Sequence, residues 1–172
     1  MNHTNESVSF KRKRYTLTNY ETRQILLTHS GEYQIDLVGQ GAEVTIDGRW
    51  LVQRNDELNV HVTVHHQAPH TQAKIVLKAV GTDQAQVTLK GKIIVDRNCP
   101  GVGSHLEERV LLISDQARAE VVPEMEILTD DVTCSHATSI SNLDEIQLFY
   151  LMSRGVTKNT AKKLIVNGCL SD

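Results

Sequence analysis

The sequence predicts a mainly β protein, a stack of short strands that ends in a small helical segment. Residues 15–122 alternate apolar and polar side chains in short runs rich in Val, Ile, Leu and Thr, with Gly, Asp or Asn between the runs. These residues contain no sustained 3.6-residue period, so the crossover helices of an α/β sheet are not expected. After Ser141 the period becomes helical.

The clearest strands are predicted where β-branched and other apolar residues occupy every second position. Alternation of this kind places one face of a strand in the core and the other in water. The predicted strands include residues 23–29, 32–38, 58–66, 74–79 and 109–113.

A repeat within this region indicates how the strands are arranged. Residues 42–52 (AEVTIDGRWLV) align without a gap on residues 85–95 (AQVTLKGKIIV), an offset of 43 positions. Self-similarity at a fixed spacing is typical of stacked units that bury their apolar faces against their neighbours. The repeat therefore predicts a β-solenoid with two coils in every 43 residues. The alternative is a sandwich in which Gly48 and Gly91 lie in the turns of two similar hairpins.

The chain divides into three predicted segments. Residues 1–14 are an N-terminal tail, residues 15–140 are the β-helix core, and residues 141–172 are the C-terminal helical segment. A chain of 172 residues can bury one core without disulfides or a structural metal. The basic run KRKR at residues 11–14 is interpreted as a solvated strand edge or tail.

Composition argues against several classes of function. The 18 Lys and Arg are balanced by 21 Asp and Glu, so no large basic surface is expected for nucleic acid or an anionic membrane. No apolar run approaches the roughly 20 residues of a membrane-spanning helix, and residues 1–10 lack the apolar stretch of a signal peptide. We expect a cytoplasmic protein whose three cysteines, Cys99, Cys134 and Cys169, are free thiols.

Two amphipathic helices are predicted after the strands. Asn142 is the predicted N-cap of the first, with Glu145 at the capping-box position, and Gly155 ends it. Thr157 is the predicted cap of the second, and Gly168 ends that one. These helices either cover the last coil of the stack or provide a docking surface. Their predicted apolar faces comprise Leu143, Ile146, Phe149 and Tyr150 in the first helix, and Ala161, Leu164 and Ile165 in the second.

Cys134 and His136 are the most specific candidate site. In an extended segment, residues i and i+2 point to the same side, so the thiol and the imidazole could share a metal ion or activate one another. Two ligands do not complete a closed metal site, and a structural cysteine is the alternative interpretation.

Four histidines form a second candidate cluster: His61, His65, His66 and His70. Alternation places His61 and His65 on one face of the strand and His66 on the other, with the apolar residues. Surface histidines on a strand are usually solvated, and a metal site here is the less favoured hypothesis.

The adjacent carboxylates Asp130 and Asp131 support a rival function. Paired aspartates on a β-solenoid are found in polysaccharide hydrolases, where they act as acid and base across a glycosidic bond. Such enzymes also need an aromatic-lined groove, and aromatic residues make up only 4% of this chain. The simpler interpretation is a polar turn before Val132.

Several motifs taken together point to a known family. They are HxxPxT at residues 66–71, GKIIV at 91–95, LLISDQA at 111–117, PEMEI at 123–127, CSH at 134–136 and QLFYLMSRG at 147–155. Their order resembles the C-terminal core of the SufB and SufD proteins, subunits of an iron–sulfur cluster assembly scaffold. The resemblance implies a right-handed parallel β-helix of about four or five coils, shorter than full-length members. The sequence departs from the family pattern at Ala137, where members have glycine, and at His105, where they commonly have glutamine.

The resemblance also implies a function and partners. Cys134 would be a thiolate ligand of an iron–sulfur cluster and His136 a second ligand or proton acceptor. The helical segment would bind a SufC-like ABC ATPase, and the end of the β-helix would pair with a SufB/SufD-like partner or a second copy. We expect a scaffold or accessory subunit, not an enzyme, or alternatively an interaction module that has lost cluster handling. The predicted ATPase-binding residues are Gln147, Tyr150, Arg154 and Lys158.

Overall fold

The computed structural model describes residues 11–171, in which ten strands are followed by two helices. The strands are β1 (Lys11–Leu17), β2 (Thr22–Leu27), β3 (Gly31–Leu37), β4 (Glu43–Val52), β5 (Glu57–His66), β6 (Gln72–Gly81), β7 (Gln86–Val95), β8 (Val102–Leu112), β9 (Arg118–Ile127) and β10 (Val132–Asn142). The helices are α1 (Glu145–Ser153) and α2 (Lys158–Ser171).

The strands form two five-stranded parallel sheets. The odd sheet has the order β1-β3-β5-β7-β9, and the even sheet has the order β10-β8-β6-β4-β2. Successive strands alternate between the sheets, so each coil contributes one strand to each. Parallel pairing throughout the described strands confirms the predicted parallel solenoid and excludes the hairpin sandwich. Its right-handed sense stays a prediction.

The predicted coil length is wrong. Partners in neighbouring coils lie 29 positions apart between β4 and β6, and 31 apart between β6 and β8. The offset of 43 therefore covers about one and a half coils, and the two copies of the repeat, β4 and β7, lie in different sheets. Both strands face the same core, so the same alternation of buried, inward-facing residues occurs in either sheet. Gly48 and Gly91 lie within these strands and not in turns.

The core is the lumen between the two sheets. Side chains at alternate positions of each strand point inward and stack on their partners in the next coil. At Gly48 the space inside β4 is filled by the indole of Trp50, because a Cβ at Gly48 would lie 2.0 Å from the Trp50 ring. The largest fully buried side chains are Leu17, Leu27, Ile35, Leu37, Ile46, Ile75, Leu77, Leu89, Ile93, Leu106, Leu148 and His66.

The corners of the coils are stacked by backbone hydrogen bonds. The His70 N–H donates to Pro100 O at 2.8 Å, and the Gln84 N–H donates to Arg54 O at 2.8 Å, in each case from one corner to the neighbouring coil. His70 and Arg54 adopt positive φ angles of 59°. These left-handed residues reverse the chain between strands and let the coils stack in register.

The basic run forms part of the first strand. β1 begins at Lys11, so the predicted boundary at residue 15 lies inside the strand, and the predicted 140/141 boundary lies inside β10. Arg12 forms an ion pair with Glu32 at 2.8 Å, and Arg14 pairs with Asp36 at 2.5 Å. These acidic partners on β3 explain why a cationic run occupies an edge strand. The rest of the predicted tail, residues 1–10, lies outside the described residues.

The start of α1 differs from the prediction. Asn142 is the last residue of β10, and Asp144 is the N-cap, whose carboxylate accepts the Ile146 N–H at 2.8 Å. Glu145 is the first helical residue and does not close a capping box. Gly155, with φ of 86°, follows the helix as predicted, because this conformation has little cost for glycine.

The buried faces of the helices also differ from the prediction. Leu148 is buried in α1, whereas Ile146, Phe149 and Tyr150 are 80%, 72% and 55% exposed. In α2 the side chain of Thr157 accepts the Thr160 N–H, which confirms the predicted cap. Of the predicted apolar face in α2, Ala161 is buried, but Leu164 is 49% exposed. Gly168 does not end α2, which continues to Ser171.

The helices pack against the outer face of the even sheet. The Arg49 guanidinium on β4 donates to the carbonyl of Leu170 at 2.6 Å and holds the end of α2. The Leu111 side chain lies on the same outer face, against a cleft that Leu151 and Leu164 also line. Among residues 11–171, neither helix is long and apolar enough to cross a membrane.

Candidate functional site

The last coil leaves one end of the lumen uncovered. Each of its strands, β9 and β10, pairs with only one other described strand, so the side chains that face the lumen have no further coil above them. We call this region the open end. The odd-sheet wall is apolar, with Pro123 tolerated because β9 is an edge strand. The lumen-facing residues are Ala119, Val121, Pro123, Met125 and Ile127 on β9, and Val132, Cys134, His136, Thr138 and Ile140 on β10.

The structure places Cys134 and His136 on the same, lumen-facing side of β10. Cys134 lies beside Ser104 and His136 beside Leu106, and both of these β8 residues are buried in the lumen. Cys134 is half-buried and His136 is exposed. The predicted pair therefore shares one surface at the open end.

The environment of Cys134 favours the neutral thiol. Burial raises the pKa of Cys134, and a backbone hydrogen bond with Ser104 acts in the opposite direction without reversing the shift. A thiol with a raised pKa becomes a strong ligand only when a cation replaces its proton. Burial therefore does not activate Cys134 as a free thiolate.

A row of buried, hydrogen-bonded polar side chains connects this region with the HxxPxT motif. The Thr71 hydroxyl donates to the carbonyl of Ala68 at 3.2 Å, so its oxygen accepts from His66 Nδ1 at 2.7 Å. His66 Nε2 therefore carries no proton and accepts a hydrogen bond from the Ser104 hydroxyl, whose Oγ lies 3.2 Å away. Burial, followed by the nearby His65, lowers the pKa of His66 to about 4, so the imidazole is neutral. These hydrogen bonds hold the buried side chains of the motif in place in the lumen next to Ser104.

The four histidines do not converge. His66 faces the lumen, while His61 and His65 face outward as the alternation predicts. His65 Nε2 lies 2.9 Å from Asp96, and His70 occupies a corner. Across residues 11–171, no three His, Cys, Asp or Glu side chains are grouped to hold a metal ion. A complete metal site at the open end would need ligands from a second molecule.

Asp130 and Asp131 form the predicted polar turn before β10. The carbonyl of Asp130 accepts the Val132 N–H at 3.1 Å, and the carbonyl of Asp131 accepts the Gly101 N–H at 2.8 Å. The shallow pocket beside Asp131 has a volume of about 150 Å³ and, in the described part of the chain, is lined by no aromatic side chain and no second acid. This setting does not favour glycoside hydrolysis.

Sequence reasoning missed Glu108. This lumen-facing residue of β8 is 0% exposed, and neither carboxylate oxygen makes a hydrogen bond of normal geometry within the described structure. Burial raises the pKa of Glu108 to about 7, while the Gly91 backbone and the Thr138 side chain act in the opposite direction. The missing side chain at Gly91 makes room, because a Cβ there would lie 3.1 Å from Glu108 Oε1. Alternation along β8 from Ser104 was the available signal, but the predicted strand began at residue 109.

The other two cysteines lie outside β10, one at a corner and one on α2. All three are free thiols, as predicted. Cys99 is 2% exposed at a corner, and burial raises its pKa. Cys169 lines the cleft under the helices, and burial raises its pKa against the opposing charges of Lys78 and Arg109. These environments make Cys99 and Cys169 matched controls for Cys134.

Helix α1 presents a second candidate surface. Ile146, Phe149, Tyr150 and Met152 are exposed apolar residues of one short helix. The Arg154 guanidinium lies 5.3 Å from the centre of the Tyr150 ring. The predicted binding residues Gln147, Tyr150, Arg154 and Lys158 are all exposed, but the predicted list omits Ile146 and Phe149. The exposed apolar area is typical of a protein-binding surface.

Comparison with known proteins is consistent with this geometry. Residues 2–169 match the family model described as SUF system FeS cluster assembly, SufBD core domain. The chain is 31% identical over 132 residues to the iron–sulfur cluster assembly protein SufB of Bacillus subtilis. It is 29% identical to a SufBD family protein of Staphylococcus saprophyticus and 28% identical to one of Staphylococcus epidermidis. Each alignment covers 77% of this chain and 28% of the relative.

Proposed function

The chain belongs to the SufBD core family of iron–sulfur cluster assembly proteins, and we propose that it serves as a SufB/SufD-like scaffold or accessory subunit in the cytoplasm, not as an enzyme. The observation that carries this proposal is the pairing of Cys134 with His136 on the lumen side of an uncovered last coil. A thiol and an imidazole are ligands that iron accepts in clusters.

The site becomes complete only when the open end is covered. One chain offers two ligands at this surface, and a two-fold pair of copies, or a related SufB/SufD-like partner, would offer four. A cluster held between two molecules is cargo that is released when the molecules separate. Burial raises the pKa of Cys134, so the thiol of the free chain keeps its proton until a metal ion displaces it.

Iron uptake should depend on Cys134 alone among the three cysteines. After anaerobic reconstitution with ferrous iron and sulfide, we expect thiolate-to-iron absorption in the parent protein and in Cys99→Ser and Cys169→Ser. Cys134→Ser should lose most of this absorption, since it removes the sulfur ligand at the open end. His136→Ala should retain less iron per chain than the parent.

A different result would change the proposed function. If the parent takes up no iron, or if Cys134→Ser takes up as much as the parent, the site does not handle clusters. The protein is then better described as an interaction module that retains the solenoid and its docking helix.

We further propose that α1 docks a SufC-like ABC ATPase. The exposed apolar residues of α1 would form the centre of the contact, with Arg154 and Lys158 at its rim. Apolar and aromatic residues at the centre of an interface carry most of its energy, whereas exposed charges contribute less.

Phe149→Asp should therefore weaken ATPase binding more than Arg154→Glu does. We expect a loss of about 2 kcal/mol or more, roughly thirtyfold in Kd, because the substitution places a charge at the centre of the contact. Tyr150→Ala should give a smaller loss. Leu26→Asp is the matched control, since Leu26 is 71% exposed on β2, far from α1 in the strand order. Calorimetry with the ATPase of the same organism measures these values, and equal affinities for Phe149→Asp and Leu26→Asp would exclude α1 as the docking site.

A further inference from the structure

Three cations lie side by side on the outer face of the even sheet, next to the end of α2. Arg49 on β4, Lys78 on β6 and Arg109 on β8 are direct register partners, and we call them the cation row. Neighbouring strands lie about 4.8 Å apart, and like charges placed opposite one another destabilise a sheet. Lys78, the middle member, is only 5% exposed. The cation row therefore needs negative charge close to it.

Two carboxylates provide part of this negative charge. The Arg49 guanidinium donates to both carboxylate oxygens of Asp47 at 2.9–3.2 Å. Glu107 is shared between two cations, because its carboxylate lies 2.8 Å from Arg109 and 3.7 Å from Lys78. Three cations are thus paired with two carboxylates.

The C-terminal end of α2 provides further negative charge. A helix ends in carbonyls without intrahelical partners, and its dipole places roughly half of an elementary negative charge there. The described last turn of α2 contains no basic residue of its own to balance that charge. The Arg49 guanidinium does so from the sheet, since it donates to the Leu170 carbonyl at 2.6 Å. Burial raises the pKa of the adjacent Cys169 thiol, and the nearby charges of Lys78 and Arg109 act in the opposite direction. The cation row therefore caps the end of α2.

Few apolar contacts hold α2 on the sheet. Of its described residues only Ala161 is buried, and Leu164 is 49% exposed. Gly155, in the connection from α1, has a φ of 86°, and a Cβ placed on it would meet no atom within 4 Å. A helix with little buried apolar area opens at a lower free energy than the strands of a core. The polar contacts at its end are therefore a large part of what keeps α2 in place.

Helix α2 covers an apolar strip of the even sheet. It packs on β6, where the outward-facing Val76 and Val80 are 8% and 0% exposed. Leu111, the register partner of Val80 on β8, is 9% exposed and lines the cleft of about 680 Å³ together with Leu164 of α2. We call Val76, Val80 and Leu111 the apolar strip. Adjacent apolar residues on an outer face are typical of a surface that is covered or that binds a partner.

We propose that α2 is a lid on the outer face of the even sheet, closed by an electrostatic latch between the cation row and the C-terminal end of the helix. Opening of the latch uncovers the apolar strip while the solenoid stays folded. The lid requires neither iron nor the ATPase, so this inference goes beyond the proposed function and does not depend on it.

Hydrogen exchange of the full chain measures how often the lid opens. Mass spectrometry of peptides would follow the amides of α2, with those of α1 and β6 as internal references. Arg49→Met removes the latch but keeps an apolar side chain of similar length. Arg12→Met is the matched control, because Arg12 forms an ion pair with Glu32 at 2.8 Å on the odd sheet. Each protein is measured at about 0.05 M and about 0.5 M KCl, since the higher concentration screens exposed charges.

We expect the amides of α2 to exchange about tenfold faster in Arg49→Met than in the parent, because a charge-assisted hydrogen bond is lost. The amides of α1 and β6 should exchange at the parent rate. Added KCl should speed the exchange of α2 in the parent and have a smaller effect in Arg49→Met. Arg12→Met should match the parent in all of these measurements.

Three outcomes would overturn the inference. Equal exchange of α2 in the parent and in Arg49→Met would show that the cation row does not hold the lid. Exchange of α2 that does not respond to KCl in the parent would show that the contact is not electrostatic. Equal acceleration of α2, α1 and β6 in Arg49→Met would show that α2 opens only when the whole fold does.

Discussion

Glu108→Gln is expected to stabilise the metal-free protein by about 3 kcal/mol at pH 8 and by less than about 1 kcal/mol at pH 5. Burial raises the pKa of Glu108 from 4.5 to about 7, so the folded state holds this proton more tightly than the unfolded state does. The contribution of the neutral acid is fully present below pH 4.5 and is lost as the pH rises through 7. Glutamine is neutral at both pH values and avoids that loss.

Urea unfolding of the parent and the variant at the two pH values gives this difference directly. His66 has a lowered pKa, so its own contribution to stability falls as the pH drops from 6.5 towards 4. That effect is the same in both proteins and cancels in their difference. Glu120→Gln should show little change at either pH, because exposed carboxylates contribute little to stability. A constant difference between the parent and Glu108→Gln from pH 5 to pH 8 would show that the buried carboxyl has an ordinary pKa.

The features that could be predicted from the sequence are those that depend on the period of a strand. Alternation along β5 placed His66 in the lumen and His61 outside it, and the structure agrees. The same rule placed Cys134 and His136 on one side of β10. Period two is a local property of the extended backbone, so it can be read without knowing the neighbouring strands.

The coil length could not be obtained in the same way. A repeat identifies positions with equivalent environments, and in a solenoid both sheets face one lumen. β4 and β7 therefore carry the same pattern although they lie in different sheets, and the offset between them is not the length of a coil. Only the register between strands, such as Glu43 beside Gln72, gives that length.

The helices show a different limit. Helix α1 is apolar on two sides, with Leu148 buried and Phe149 exposed to solvent. Periodicity alone cannot decide which apolar side is buried when a helix has two of them. The extension of β10 to Asn142 moved the helix start and made Asp144 the cap. The shifted start arises from how far β10 extends along the adjacent strand β8.

Part of the candidate site could be predicted from the sequence, because residue type and spacing are local properties of the chain. The chemistry of Cys134 and His136 follows from residue type and spacing, but the open end follows from the position of β10 at the edge of its sheet. Glu108 becomes notable only because its inward direction and its missing partners are both known. A charged residue within an alternating strand is a signal that sequence analysis can use once the start of the strand is known.

Ile140→Asp is expected to abolish self-association, with the largest effect of the substitutions considered. Ile140 is 47% exposed in the lumen-facing row of β10, next to the buried Val110. We expect copies of the chain to meet at the open end, because this surface combines apolar residues with the unpaired edges of two strands. A two-fold contact would contain the new aspartate twice, and each unpaired buried charge costs about 3–5 kcal/mol. The dissociation constant should therefore rise by a factor of about a thousand or more.

Sedimentation at micromolar concentration distinguishes the two states by mass. The parent is expected to be a dimer and Ile140→Asp a monomer with unchanged circular dichroism, since the position is half exposed in the single chain. Leu26→Asp places the same charge on β2, at the opposite edge of the even sheet, and should leave the dimer intact. A parent that stays monomeric at high micromolar concentration, or an Ile140→Asp protein that stays dimeric, would mean that copies of this chain do not meet at the open end. The ligands that complete the Cys134 and His136 site would then have to come from a different SufB/SufD-like partner. Because the iron site and the dimer share this surface, Ile140→Asp should also lower iron uptake while leaving both proposed ligands in place.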